Sequence, residues 1–236
     1  MEEENKNNKE DIIKEFLANG CHYGRAKRFT HPSMRIFLVK NNKKNIEIFD
    51  INKTIEKLNE AGNYLANAIK EKKTILFVGA KPAAEKPIQK IGEELGMPYM
   101  VYKWVGGFLT NFDTIKTRLI YLKELLEKEA SGELENYPPQ DRQRILRELD
   151  KMKKIYGGAI NLENLPDIIF IVDLNFKSHR TAVREALKKE IPIVAICGSD
   201  NNVERVKIVI PANDKAPRSI SFLIDYLINK IKEKLQ

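Results

Sequence analysis

A stretch without any acidic residue extends from Gly20 to Ile46. Its seven cations are Arg25, Lys27, Arg28, Arg35, Lys40, Lys43 and Lys44. The same stretch contains the ring-bearing side chains His22, Tyr23, Phe29, His31 and Phe37. Cations without a counter-charge attract a phosphate backbone, and aromatic rings can stack on unpaired bases. The pattern predicts a loop that binds RNA, and the alternative is a solvated loop before the first strand.

A glycine turn follows the apolar run Thr74–Gly79, and Lys81 stands two residues later. Such a strand-to-helix turn can bind phosphate through the amides of a helix N-terminus. The further glycines of a dinucleotide-binding motif and the Lys-Ser/Thr pair of a P-loop are absent from the sequence here. The turn therefore does not predict a nucleotide site, and we expect Lys81 to face RNA or solvent.

Four carboxylates stand where predicted strands end, and open parallel sheets bind ligands at that edge. They are Asp50, Asp173, Asp200 and Asp214. Oxygen ligands gathered there could bind Mg²⁺ or serve acid–base chemistry. The alternative is that these residues cap helices and form turns, which is common for Asp. We favour the second interpretation.

The cysteines and histidines do not have the spacing of a metal site. Cys21 and His22 are neighbours and His31 follows them, whereas His179 and Cys197 are distant. The sequence has no Cys-x-x-Cys or His-x-x-x-His pair, and no serine in a Gly-x-Ser-x-Gly turn. We therefore predict a protein that is not an enzyme and has no metal or cofactor.

The elements that must position these residues alternate between strands and helices. Strands are predicted at about 46–51, 74–79, 99–102, 167–173, 191–197 and 206–210. Helices are predicted at about 12–17, 52–69, 82–95, 178–189 and 217–231. This alternation predicts an α/β fold with a parallel sheet that is covered by helices on both faces.

Two helical patterns interrupt the alternation after the third predicted strand. Their apolar residues are Ile115, Leu119, Leu122 and Leu126, then Ile145, Leu149, Met152 and Tyr156. Spacing of this kind is typical of coiled-coil seams, so we predict an inserted antiparallel helical hairpin at about 112–156. The pairs Gly106-Gly107 and Gly157-Gly158 bracket the insertion as predicted hinges.

The composition is basic. The chain has 236 residues, with 41 Lys and Arg against 33 Asp and Glu, and a formal charge of +8. Such a surplus predicts a polyanionic partner, either nucleic acid or an acidic membrane surface. No stretch approaches the roughly 18 apolar residues that a membrane span needs.

The amino terminus is polar and has no apolar core of a signal peptide. We predict a flexible tail over residues 1–10 and a single domain over 11–235. Two distant cysteines do not indicate a disulfide framework, which favours a reducing cytoplasm.

The run Trp104-Val105-Gly106-Gly107-Phe108-Leu109-Thr110-Asn111-Phe112 resembles the family of ribosomal protein two of the small subunit, in its bacterial form. Further similar segments stand before and after this run in the family's order: 16–24, 31–34, 48–54, 76–81, 157–158, 165–167 and 210–214. The resemblance covers residues from about Phe16 to Ile224, which is nearly the whole chain.

The resemblance implies a flavodoxin-like sheet with a protruding coiled-coil hairpin. It also implies binding to small-subunit rRNA near the head–body junction. The expected protein partners are neighbouring small-subunit proteins, including the largest one, which feeds mRNA. No membrane and no small-molecule substrate are expected. With the resemblance, the predicted RNA-binding residues are Arg25, Lys27, Arg28, Arg35, Lys40, Lys43, Lys44, Lys81 and Lys103.

Some positions differ from the family pattern. Arg25 stands where relatives usually have a second histidine, and Lys215 stands in place of an aspartate near the end. Both changes add positive charge, which suits an RNA partner.

Two rival functions are an enzyme with a nucleotide or phosphosugar site at the carboxyl edge of the sheet, and a free-standing interaction protein that docks through the hairpin.

Overall fold

A computed structural model describes residues 2–40 and 42–236, with side chains for residues 10–40 and 42–236. The strands are β1 (Tyr23–Ala26), β2 (Ile46–Ile48), β3 (Ile75–Val78), β4 (Tyr99–Met100), β5 (Ile168–Val172), β6 (Ile193–Cys197) and β7 (Ile208–Pro211). The α-helices are α1 (Glu2–Ala18), α2 (Ile51–Lys70), α3 (Glu85–Leu95), α4 (Phe112–Ala130), α5 (Pro139–Tyr156), α6 (His179–Lys188) and α7 (Pro217–Leu235). None of these helices, within the described residues, is long and apolar enough to cross a bilayer.

The central sheet has five parallel strands in the order β4-β3-β5-β6-β7. Counted within the sheet this order is 2-1-3-4-5, the order of flavodoxin-like doubly wound folds. Strands β3, β5, β6 and β7 are buried along their whole length, which explains their continuous apolar sequences. The predicted parallel sheet with helices on both faces is therefore confirmed.

Alternate residues of each central strand face opposite cores. In β5, Ile169 and Ile171 join the core formed with α4, α5 and α6. Phe170 and Val172 face the opposite core, which contains residues of α2, α3 and α7 and also Phe16 of α1. This alternation follows from the two-residue period of a strand, and it places helices on both faces of the sheet.

The first predicted strand, 46–51, does not belong to the central sheet. Strand β2 pairs antiparallel with β1, with Tyr23 opposite Ile48, and forms a separate two-stranded sheet. Its residues are only partly buried, unlike the continuous apolar runs of the central strands. The helix then starts at once, because the Asp50 side chain accepts a hydrogen bond from the Asn52 amide at 3.0 Å. Asp50 therefore caps helix α2.

Helices α4 and α5 lie between β4 and β5 in the sequence and pack against each other. Their buried residues are Ile115, Leu119, Leu122 and Leu125 in α4, and Leu149, Met152, Ile155 and Tyr156 in α5. Leu126 and Ile145 of the predicted stripes are partly buried against the same core. The two helices are thus present within the predicted range, while their coiled-coil geometry and their protrusion stay predictions.

Helix α1 begins at Glu2, whereas the predicted helical pattern covered residues 12–17. Met1 and the side chains of residues 2–9 lie outside the described part of the chain. The flexible tail over residues 1–10 and the domain bounds therefore stay predictions.

Candidate nucleic-acid interface

Residues 20–46, called the basic segment below, fold onto the rest of the protein. After β1 come two short 3-10 helices, Lys27–Phe29 and Pro32–Phe37, and the segment ends in β2. Met34 and Phe37 are buried in the same core as Trp104. The apolar residues of the segment therefore anchor it.

The cations of the basic segment point outward. Each of the seven side chains is exposed. Arg25 pairs with Asp200 at 2.9 Å. Among the side chains that the structure describes, no carboxylate lies within ion-pair distance of the other six cations. The segment therefore presents positive charge that the protein itself leaves largely uncompensated.

The loops after β6 and β7 hold the basic segment in place. Ser199, which follows β6, accepts a hydrogen bond from the Arg25 amide through its hydroxyl at 2.8 Å and one from the His31 amide through its carbonyl at 2.9 Å. The Asn213 amide, after β7, donates to the Cys21 carbonyl at 2.9 Å. Gly24 allows this close approach, because a Cβ there would lie 3.0 Å from the Ser199 hydroxyl oxygen. The segment is thus fixed to the carboxyl edge of the sheet.

Beneath this surface, the ends of four strands bring together Lys81, Asp173, Asp200, Asp214 and Lys215, called the strand-end cluster below. Lys81 Nζ lies 3.0 Å from an Asp173 oxygen, and Lys215 Nζ lies 2.6 Å from the same oxygen. Lys215 Nζ is also 3.5 Å from Asp214 and 4.0 Å from Asp200. With Arg25, which pairs with Asp200 from the basic segment, three cationic groups therefore face the three carboxyl groups.

The two most buried carboxylates of the cluster shift in opposite directions. Burial alone would raise the pKa of Asp173, but the hydrogen bond and charge of Lys215 and the charge of Lys81 hold it below its ordinary value. Burial, together with repulsion from Asp173, raises the pKa of Asp214 to about 7. Asp173 is the carboxylate with two close lysine partners, which explains why it is the one that stays ionised.

His179 joins two of the loops that carry the cluster. The Ala80 amide donates to His179 Nε2 at 2.9 Å, so the ring proton lies on Nδ1, which donates to the Asp173 carbonyl at 2.9 Å. Burial is the main cause that lowers the pKa of this fully buried histidine. A neutral imidazole therefore ties the loop after β3 to the loop after β5.

The four strand-end carboxylates do not come together at one site. Asp50 caps α2, while Asp173, Asp200 and Asp214 meet around Lys215. The lysine ammonium group occupies the position that a cation would take among them. Within the described residues, no group of three or more His, Cys, Asp or Glu side chains is arranged to hold a metal ion.

Seven of the nine predicted RNA-binding residues are exposed in the basic segment, and two lie outside it. The side chain of Lys81 is 12% exposed and already paired with Asp173. Lys103 is exposed, but it follows β4 at the other side of the sheet. Three strand intervals separate β4 from β6, which amounts to roughly 14 Å. RNA contact by all nine residues stays a prediction, and these two lack the surroundings of the other seven.

Glu185 is a residue that sequence reasoning missed. Its carboxylate accepts hydrogen bonds from Trp104 Nε1 at 3.2 Å, from the Gly107 amide at 2.8 Å and from the Leu109 amide at 2.9 Å. It therefore fixes the Trp-Gly-Gly run just before α4. The available signal was the position of an acid beside Ala186 on the apolar face of α6.

The chain matches the family described as ribosomal protein S2 over residues 16–234. It is 40% identical to small ribosomal subunit protein uS2 of Coprothermobacter proteolyticus, over 94% of this chain and 81% of that protein. It is 37% identical to the protein of the same name from Dictyoglomus thermophilum and 36% identical to that from Dictyoglomus turgidum, each over 94% of this chain and 89% of the relative. On these similarities and the match along nearly its whole length, the chain belongs to the ribosomal protein S2 family.

Proposed function

We propose that the chain is a structural constituent of the small ribosomal subunit that binds rRNA through the basic segment and supports subunit assembly and translation. The observation that carries the proposal is the set of seven exposed cations with a single carboxylate partner among the described side chains. Members of this family are non-catalytic, and their place is the cytoplasmic ribosome.

The geometry of the basic segment suits a phosphate backbone. Each cation that replaces condensed counterions on the RNA releases them into solution, which favours binding most at low salt. Buried apolar residues and hydrogen bonds to Ser199 hold the described part of the segment against the protein, which supports a surface arranged before RNA binds. An ordered surface loses less conformational entropy on binding than a flexible loop would. Lys81 and Lys103 stay secondary members of the proposed RNA-binding set.

Helices α4 and α5 are proposed to form an antiparallel coiled-coil hairpin that contacts neighbouring proteins. Over residues 112–156 the 10 Lys and Arg nearly balance the 9 Asp and Glu, and some of them form ion pairs, as Lys153 does with Glu129 at 2.6 Å. A nearly balanced charge offers little net attraction to phosphate. The proposed partners are therefore neighbouring small-subunit proteins, among them the largest one, which feeds mRNA.

The test is to replace Arg25, Lys27, Arg28 and Arg35 together by alanine and to measure binding to small-subunit rRNA over a range of salt concentrations. We expect weaker binding and a salt slope reduced by up to about 3.6, because each lost phosphate contact lowers the slope by about 0.9. A matched control replaces Arg118, Arg144, Arg147 and Lys151 of α4 and α5 by alanine, which removes the same charge from exposed positions.

Unchanged affinity and slope in the first variant, or an equal loss in the control, would contradict the proposed surface. Co-sedimentation of the full chain with small ribosomal subunits separates this function from that of a free-standing interaction protein. The proposal predicts stoichiometric recovery with the subunit, and recovery of the protein only at the top of the gradient would contradict it.

A further inference from the structure

Phe29 is an exposed aromatic ring within the basic segment. Its relative exposure is 48%, whereas Phe16, Phe77 and Phe170 are fully buried in the core. The guanidinium carbon of Arg28 lies 4.8 Å from the centre of the Phe29 ring, and that of Arg25 lies 5.2 Å from it. About half of a large apolar side chain is thus left in water beside two cations.

The position of this ring is set by its surroundings. The Thr30 amide donates to the Lys27 carbonyl at 3.1 Å, and the Lys27 amide donates to the Asn45 carbonyl at 3.1 Å. The ion pair with Asp200 restrains Arg25 beside the ring. The backbone around Phe29 is therefore held in place, while the protein leaves about half of the side chain uncovered.

We infer that Phe29 and Arg28 form a platform on which one unpaired RNA base stacks, so that the basic segment selects a bulged or looped nucleotide within a duplex. This inference rests on the proposed rRNA binding and adds the class of RNA structure that the segment recognises. Aromatic rings and arginine planes are the usual stacking partners of unpaired bases.

A continuous RNA duplex does not offer such a base. Its bases are stacked on both sides, and its deep, narrow major groove does not admit side chains. A protein partner would also use exposed apolar groups, and Ile36 at 66% and Val39 at 45% exposure lie in the same segment. The surplus of positive charge around Phe29 favours the polyanion.

The experiment measures the affinity of the full-length chain for two RNA hairpins of equal length and charge. One is a continuous duplex, and the other carries a single unpaired adenine replaced by a fluorescent analogue. We expect the native chain to prefer the RNA with the unpaired base by roughly ten-fold, which is in the range for stacking one base on an aromatic ring. We also expect the emission of the analogue to change on binding.

The variant Phe29→Leu keeps an apolar side chain and removes the ring. We expect it to lose the preference and the emission change, while its affinity for the continuous duplex stays the same. Phe29→Tyr should keep both effects, and Tyr102→Leu, at a side chain 55% exposed outside the segment, serves as the control for loss of an exposed ring. An unchanged thermal midpoint establishes that the variants are folded.

The absence of a preference in the native chain would overturn the inference even if both RNAs bind tightly. An equal loss for both RNAs in Phe29→Leu would also overturn it. If Phe29→Leu no longer co-sediments with the small subunit but binds both RNAs as the native chain does, Phe29 would instead be assigned to a protein contact. Failure of the native chain to bind either RNA would contradict the proposed function itself.

Discussion

The lysines of the basic segment and those of the strand-end cluster lie in opposite environments, although both groups are at the same edge of the sheet. Lys40, Lys43 and Lys44 are exposed, and the structure pairs none of them with a described carboxylate. Lys81 and Lys215 are held against Asp173, whose side chain is 2% exposed. The first group leaves its charge exposed to solvent, and the second neutralises charge inside the protein.

The difference indicates that a lysine near the proposed binding surface need not be part of it. A lysine paired with a buried carboxylate stabilises that carboxylate, and it would lose this partner if it turned to phosphate. The cluster is nevertheless connected to the surface, since Ser199 and Asp200 bond to Arg25. We expect the strand-end cluster to determine the stability of the folded protein. We expect the basic segment to determine the affinity for RNA.

The largest effect should come from Lys81→Met. It removes one of two lysines beside a buried carboxylate, so we expect the free energy of unfolding to fall by about 3 kcal/mol. The matched variant Lys43→Met removes the same charge at an exposed site, and its effect should stay within about 0.5 kcal/mol. Urea denaturation of both variants measures the difference, with the slope of the transition as a check on two-state unfolding. Similar losses in both would remove the distinction between the two groups.

The second effect concerns pH. The pKa of Asp214, about 7 in the folded chain, is above its ordinary value of 3.8, so the folded state keeps a proton that the unfolded state has released. The resulting stabilisation is fully present below the ordinary value and is lost as pH rises through about 7.

Relative to Asp214→Asn, the native chain should therefore lose roughly 2 kcal/mol of stability between about pH 5 and pH 8. The measurement is urea denaturation of both chains at several pH values. Lys43→Met changes no carboxylate and should keep the native pH profile. A parallel profile for the native chain and Asp214→Asn would show that this carboxyl titrates normally.

The smallest effect is on the salt dependence of RNA binding. Lys43→Met should lower the slope by about one, because it removes one phosphate contact. Lys81→Met, measured under conditions where it is fully folded, should leave the salt slope unchanged if Lys81 of the native chain pairs with Asp173 and does not contact phosphate. Titrations at several salt concentrations give both slopes, and a lower slope for Lys81→Met would return Lys81 to the RNA-binding surface.

Much of the fold follows from local pattern. The continuous apolar runs that became β3, β5 and β6 predict buried parallel strands, because both faces of such strands are covered. The spaced apolar residues of α4 and α5 predict helices for a similar reason. Strand β2 was assigned to the wrong sheet, because alternation over a few residues shows a strand without showing its partner.

The candidate site also has one part that the sequence predicts and one part that depends on the tertiary structure. The acid-free stretch is visible in the sequence because its residues are neighbours in the chain. The seven cationic side chains are exposed, as expected of cations without acidic neighbours in sequence. The role of Glu185 was not visible, because it depends on amides of a distant loop before α4. Its acceptor role needs four donors, from Trp104, Gly107, Leu109 and Thr110, that converge only after the sheet and α6 have packed.

By itself the sequence determined the alternation of strands and helices, the family, and a basic segment suited to RNA, since each depends on residues near one another in the chain. Only the tertiary structure decided which lysines are free. Lys81 and Asp173 are 92 positions apart, and they meet because parallel strands bring their carboxyl ends to one edge. An ion pair between distant positions leaves no local pattern, so the division between charges paired inside the protein and charges left exposed appears only in the fold.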